Sequence, residues 1–112
     1  MRKALTLLVS LVAASACWAN EAPLPLSRGK PIVEAHAALL ARGWLAQPDH
    51  QPEPYERELA GNQLPSLSSC SQSGPGFCRY DYGRGGQRLV VITVPSDAVH
   101  PSKGIVQQWW LE

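Results

Sequence analysis

The chain has 112 residues, of which ten are Lys or Arg and nine are Asp or Glu, for a formal charge of +1. A near-neutral chain without a basic cluster argues against nucleic acid, and against binding driven by anionic lipid. This length supports one small domain rather than two.

The first stretch has the three-part plan of an export signal. Arg2 and Lys3 form a positive start. The apolar run at 4–14 is broken only by Thr6 and Ser10, and small residues follow at Ser15, Ala16, Cys17 and Ala19. The run is too short for a membrane-spanning helix, which needs about 20 apolar residues. Two cuts compete. Cleavage after Ala19 would release a domain starting at Asn20. Cleavage before Cys17, whose Ala14-Ser15-Ala16 approach resembles a lipobox with Ala in place of Leu, would lipidate that cysteine and anchor the domain to an envelope membrane. The first is favoured, because Cys17-Trp18-Ala19 resembles the Ala-Trp-Ala junctions of periplasmic proteins. The chain then divides into a signal at 1–19, an extended lead-in at 20–30 and one α+β domain at 31–112. Without Arg2 and Lys3, eight basic and nine acidic residues leave a charge of −1.

Removal of Cys17, or its lipidation, leaves Cys70 and Cys78. An even pair in an oxidising compartment reads as a disulfide. Redox-active pairs usually sit two apart at a helix start, which this pair does not. Two cysteines and three scattered histidines lack zinc-ligand spacing, so no metal is expected. No cofactor motif is present.

The lead-in carries Pro23, Pro25 and Gly29 and reads as loose. Residues 31–42 predict a helix, with Pro31 at its first position. Ile32, Ala35, His36, Leu39 and Leu40 recur at helical spacing toward a core. Glu34, Ala38 and Arg42 take the other side, and Gly43 closes the helix in a left-handed cap. Trp44 and Leu45 are expected to pack back on the sheet. Residues 47–69, with four prolines and the charged patch Glu53, Glu56, Arg57 and Glu58, read as a solvated connector holding one helical turn at 55–59.

Residues 71–76 read as a turn-rich loop inside the disulfide. A strand at 77–82 puts Cys78, Tyr80 and Tyr82 on one face and Phe77, Arg79 and Asp81 on the other. Gly83-Arg84-Gly85-Gly86 is expected as a four-residue hairpin connection. It lacks a phosphate loop's Lys-Ser/Thr ending and following helix. Residues 87–94 predict a central strand, since Leu89, Val90, Val91, Ile92 and Val94 fill both faces. Pro95 stops it, and a loop at 96–104 follows. A last strand at 105–111 would lie at a sheet edge, with Ile105, Trp109 and Leu111 on one face and Val106 and Trp110 on the other. The expected architecture is one helix on a three-stranded antiparallel meander, a two-layer sandwich with one disulfide.

The series Gly43-Trp44, Pro65, Cys70, Gly74, Gly76, Cys78 and Tyr80, followed by Leu89, Thr93, Val106 and Trp109, resembles small uncharacterised exported proteins of bacteria. The resemblance covers most of the mature chain. It implies periplasmic residence and a disulfide, and no activity.

No catalytic set emerges. His36 reads as a semi-buried core histidine, and His50 and His100 as loop residues. Ser66, Ser68, Ser69, Ser71 and Ser73 lack a nucleophile-elbow context. Arg79 and Asp81 read as a surface pair of little worth. Carboxylates for a glycoside hydrolase would have to come from Asp81 with Glu53 or Glu56. The stronger lead is aromatic. Trp109 and Trp110 point to opposite faces, so one of them should face outward and, with Trp44, Tyr80 and Tyr82 as further candidates, anchor a partner. The reading that follows is a periplasmic, non-enzymatic protein-binding or inhibitor module. Its rivals are a small cell-envelope hydrolase and a glycan- or peptidoglycan-binding module.

Overall fold

A computed structural model describes residues 23–95 and 104–112. The expected signal, Cys17 and His100 lie outside the described residues. Among the described residues the fold is α+β, with two helices and a five-stranded antiparallel sheet. In chain order the elements are α1 (Ile32–Ala41), β1 (Leu45–Ala46), α2 (Pro54–Ala60), β2 (Leu67–Cys70), β3 (Cys78–Arg84), β4 (Gln87–Val94) and β5 (Ile105–Leu111). Among the described residues no helix is long and apolar enough to cross a membrane.

Helix α1 forms where its periodicity places it, and buries Ile32, Ala35, His36 and Leu39, while Leu40 stays exposed. Pro31 sits one position earlier than expected, as the N-cap in extended conformation. Its carbonyl accepts from the amides of Glu34 and Ala35. At the other end Gly43 N–H donates to Leu40 O and Trp44 N–H to Leu39 O. This is the Schellman pattern. It needs the left-handed φ of +90° that Gly43 adopts. The turn drives Trp44 into the core, where it is buried.

The connector is more structured than its prolines imply. Helix α2 runs seven residues and starts in a reciprocal capping box. Glu53 is the cap, and its own amide donates to Glu56 Oε1 at 2.7 Å. The other Glu56 oxygen accepts the amide of Cys70 at 2.9 Å, so one carboxylate ties α2 to β2. The lead-in is likewise held over its described part. Leu24 and Leu26 pack on the core, Gly29 N–H donates to Val106 O, and Val106 N–H donates to Lys30 O.

The expected meander of three strands is corrected to a sheet of five. Strands β3, β4 and β5 follow one another as antiparallel neighbours. The free edge of β3 is then shared, with β2 along its first half and β1 along its second. Both extra strands are too short, at two and four residues, to show an alternating pattern in sequence. The β3–β4 connection is a two-residue turn rather than four. Arg84 pairs with Gln87, and Gly85 and Gly86 both take positive φ. This is the backbone requirement of a type I′ turn.

One sheet face carries Cys78, Tyr80, Tyr82, Leu89 and Val91, which join Ile32, Ala35 and Leu39 of α1 in a single core. A bulge in β5 corrects the expected faces of that strand. Ile92 pairs with Gln108 but Thr93 with Val106, so Gln107 is the extra residue. An extra residue reverses the alternation beyond it. Val106 therefore lies on the core face with Trp109, not with Trp110. The Cys70–Cys78 disulfide is present, and joins residues directly opposed on β2 and β3.

Candidate interaction surface

Alternation along β3 sends Tyr80 and Tyr82 into the core and turns Arg79 and Asp81 to the other face. Asp81 is not a surface residue there: its exposure is 0 %. Arg79 forks onto it, with Nε 3.0 Å from Oδ1 and Nη2 2.9 Å from Oδ2. Arg88, reaching from β4, donates to Oδ2 at 3.0 Å, and Ser68 of β2 donates to Oδ1 at 2.5 Å. The Ser68 hydroxyl in turn accepts the amide of Asp49. Arg88 also donates to Gln47 O, and Gln47 N–H donates to Asp81 O. One carboxylate thereby fixes three strands and the connector. Burial by itself raises the Asp81 carboxyl. The hydrogen bonds from Arg79, Ser68 and Arg88, with the charge of Arg79, outweigh it and hold the group below its ordinary value. The same pairing keeps Arg79 charged.

Across the sheet from Asp81, Val90 pairs with Trp110. Trp110 is the outward tryptophan, 39 % exposed. Its Nε1 donates to Glu112 Oε2 at 3.3 Å, and the same oxygen lies 4.0 Å from the Arg79 guanidinium. Val90 is fully buried between these side chains. The surface that results is an indole beside a guanidinium, the latter about one-third exposed and aimed by a buried partner.

The other aromatic candidates do not join it. Trp44, Tyr80 and Tyr82 are buried in the core, so they offer no platform to a partner. Trp109 is half-buried against the core from its edge. The Arg84 guanidinium lies 4.6 Å from the centre of the Trp44 ring, covering it. The sequence left the outward residue open between Trp109 and Trp110 and gave Asp81 only as half of a surface pair. The signal was the alternation that places Asp81 and Arg79 opposite the tyrosines, and it becomes informative only once Arg88 and Ser68 are known to face them.

A second polar cluster sits under α1. His36 Nδ1 is 2.8 Å from the Tyr82 hydroxyl, and the Ser66 hydroxyl donates to Tyr82 at 2.9 Å. Burial raises the Tyr82 phenol, so it stays protonated and shares a hydrogen bond with Nδ1. Ser66 is fully buried and spends its proton on Tyr82. The Ser66 hydroxyl also lies 3.4 Å from His36 Nδ1, and no described carboxylate hydrogen-bonds to His36. Burial lowers the His36 pKa below 6.5. Its stabilising effect is then complete above pH 6.5 and declines as the pH falls toward the lowered folded-state value. Thermal melts from pH 7.5 down to pH 5 are expected to show this decline in the native chain and not in His36→Gln. An unchanged slope in the variant would contradict the assignment.

An open cleft of about 500 Å³ lies by the β3–β4 turn, lined by Gln47, Gly83, Arg84, Gln87 and Arg88 among others. Its described lining carries no histidine and no carboxylate. Among the described residues no three His, Cys, Asp or Glu side chains are grouped to hold a metal ion. His50 is exposed on the connector, and its charge helps hold the Glu56 carboxyl low. Ser71 and Ser73 hydrogen-bond one another in the exposed loop of the disulfide.

Comparison with known proteins found no matching family model, no matching curated protein and no matching solved structure.

Proposed function

We propose that this chain is exported and acts in the bacterial envelope, soluble in the periplasm, as a non-enzymatic module that binds a protein partner through the Trp110 face of its sheet. The export reading rests on the Arg2-Lys3 start, the apolar run at 4–14 and the small-residue junction ending at Ala19. The Cys70–Cys78 bridge supports it, since such bonds persist in oxidising compartments. The binding reading is carried by one observation: a half-exposed tryptophan stands beside an arginine held in place by a fully buried aspartate. Tryptophan and arginine are the residue types enriched where binding energy concentrates, and an arginine already fixed loses little side-chain entropy on binding. The partner surface would offer an apolar slot to the indole and carbonyl or carboxylate acceptors to the guanidinium.

Crosslinking capture from the periplasmic extract of the producing organism, with Trp109→Ala and Trp110→Ala alongside, tests this. A specific partner should be retained by the first variant and weakened about thirtyfold or more by the second, the effect of losing a hot-spot tryptophan. Equal capture by native chain and Trp110→Ala would overturn the reading.

A further inference from the structure

Strand β5 has β4 on one side. Its other side divides in two. Over 104–107 it is covered: Ile32 N–H donates to Gly104 O, Gly29 and Lys30 bond to Val106, and Arg28 Nε donates to Gln107 O. Beyond Gln107 no described residue hydrogen-bonds to this side. Glu112 N–H donates to Arg88 O, which fixes the phase of the ladder. In an antiparallel pair alternate residues bond inward, so Gln108, Trp110 and Glu112 face β4 while the peptide groups of Trp109 and Leu111 point away from it. These four groups have no hydrogen-bond partner among the described residues. The stretch 108–111 carries no Lys, Pro or inward charge, the usual devices that blunt an edge. Leu111 is 48 % and Trp110 39 % exposed.

We infer that a second copy of this chain occupies this edge, β5 against β5 in antiparallel register about a two-fold axis at Trp110. In that register Trp109 of each copy faces Leu111 of the other, and all four unpaired groups of each strand find partners at once. An axis at Trp109 would instead set Leu111 opposite Gln107, whose carbonyl Arg28 already holds. An axis at Trp110 also keeps charge apart: Glu112, the one ionised residue of the span, falls opposite the neutral amide of Gln108. The two Trp110 residues form a non-hydrogen-bonded pair, the closer of the two antiparallel spacings, so their indoles can pack side by side. The dimer would carry one continuous sheet with the Trp110 and Arg79 surface repeated across the axis, a bivalent form of the proposed binding face.

Sedimentation velocity on the protein purified from the envelope, over a concentration series, reads the association directly. The native chain should approach twice its monomer mass. Leu111→Pro removes one outward N–H and no bond to β4, a substitution an edge strand tolerates, and should sediment as a monomer with an unchanged circular dichroism spectrum. The double variant Gln108→Cys with Glu112→Cys supplies a check that does not depend on that proline. On one strand these positions are about 13 Å apart and cannot bridge. In the proposed register they face each other between copies, so a covalent dimer should form on oxidation. A native chain that stays monomeric at every concentration, or a dimer that Leu111→Pro leaves intact, overturns the inference. Partner capture that persists in a monomeric Leu111→Pro variant would leave the binding reading standing, so the two can fail separately.

Discussion

Replacing Asp81 by Asn is expected to cost about 3 kcal/mol of unfolding free energy. Breaking a buried ion pair by removing one partner typically costs about 3–5 kcal/mol, because the remaining charge is left uncompensated. Here two guanidiniums are left, from Arg79 and Arg88, each about one-third exposed and so partly hydrated. That partial hydration sets the expectation at the lower end of the range. A domain of this size has a total of about 5–15 kcal/mol to lose. Urea unfolding of the variant beside the native chain measures the difference, and a loss under about 0.5 kcal/mol would show that the network carries little energy.

The same group sets an acid limb. Its folded-state value lies below the ordinary 3.8. The stability it contributes is therefore full above pH 3.8 and is lost as the pH falls through the lowered value. Glu56 is also held low, chiefly by the Glu53 amide, against a desolvation cost, with help from the Cys70 amide, so its contribution is full above pH 4.5 and lost as the pH falls through its own lowered value. The acid limb of Asp81→Asn should consequently be shallower than that of the native chain, but not flat.

Loss of the disulfide is the second large effect. The bridge spans a separation of eight residues. Closing a loop of that length corresponds to about 2–3 kcal/mol in the chain-entropy picture. Both cysteines are buried in the core, so the paired Cys70→Ala and Cys78→Ala variant keeps the site apolar and isolates the cross-link. The consequence should be local as well as global. Strand β2 has four residues, and apart from β3 it is held by the Cys70 amide on Glu56 and by the Asp49 amide on the Ser68 hydroxyl. Amide exchange should therefore quicken first over residues 67–77, while β4 and β5 keep their protection up to global unfolding. Uniform acceleration across the sheet would contradict this division.

The elements most legible in sequence were those whose signal is local and long enough to repeat. Helix α1 shows its apolar face and its terminating Gly43, and strands β4 and β5 have their observed bounds in the pattern itself. The pairing of Cys70 with Cys78 could also be read, because assigning Cys17 to the export signal leaves two cysteines with one connectivity. Helix α2, expected only as one turn at 55–59 in a charged, proline-bearing connector, is set by the Glu53–Glu56 capping box.

What only tertiary structure decided depends on register between distant segments. The two short strands on the free edge of β3 exist because β3 offers unpaired peptide groups there, not because their own residues alternate. The outward tryptophan was settled by the pairing of Trp110 with Val90, and the Gln107 bulge moved Val106 to the other face. Asp81 acquires its meaning in the same way. By itself it is a carboxylate beside Arg79, a pair of little consequence in water. Burial between Arg88, seven residues away, and Ser68, thirteen away, makes it the centre of the surface. Local sequence dictates where a side chain lies along its own element, by a period of 3.6 or 2. What it faces across a sheet, and whether water reaches it, belongs to the packing of the whole chain.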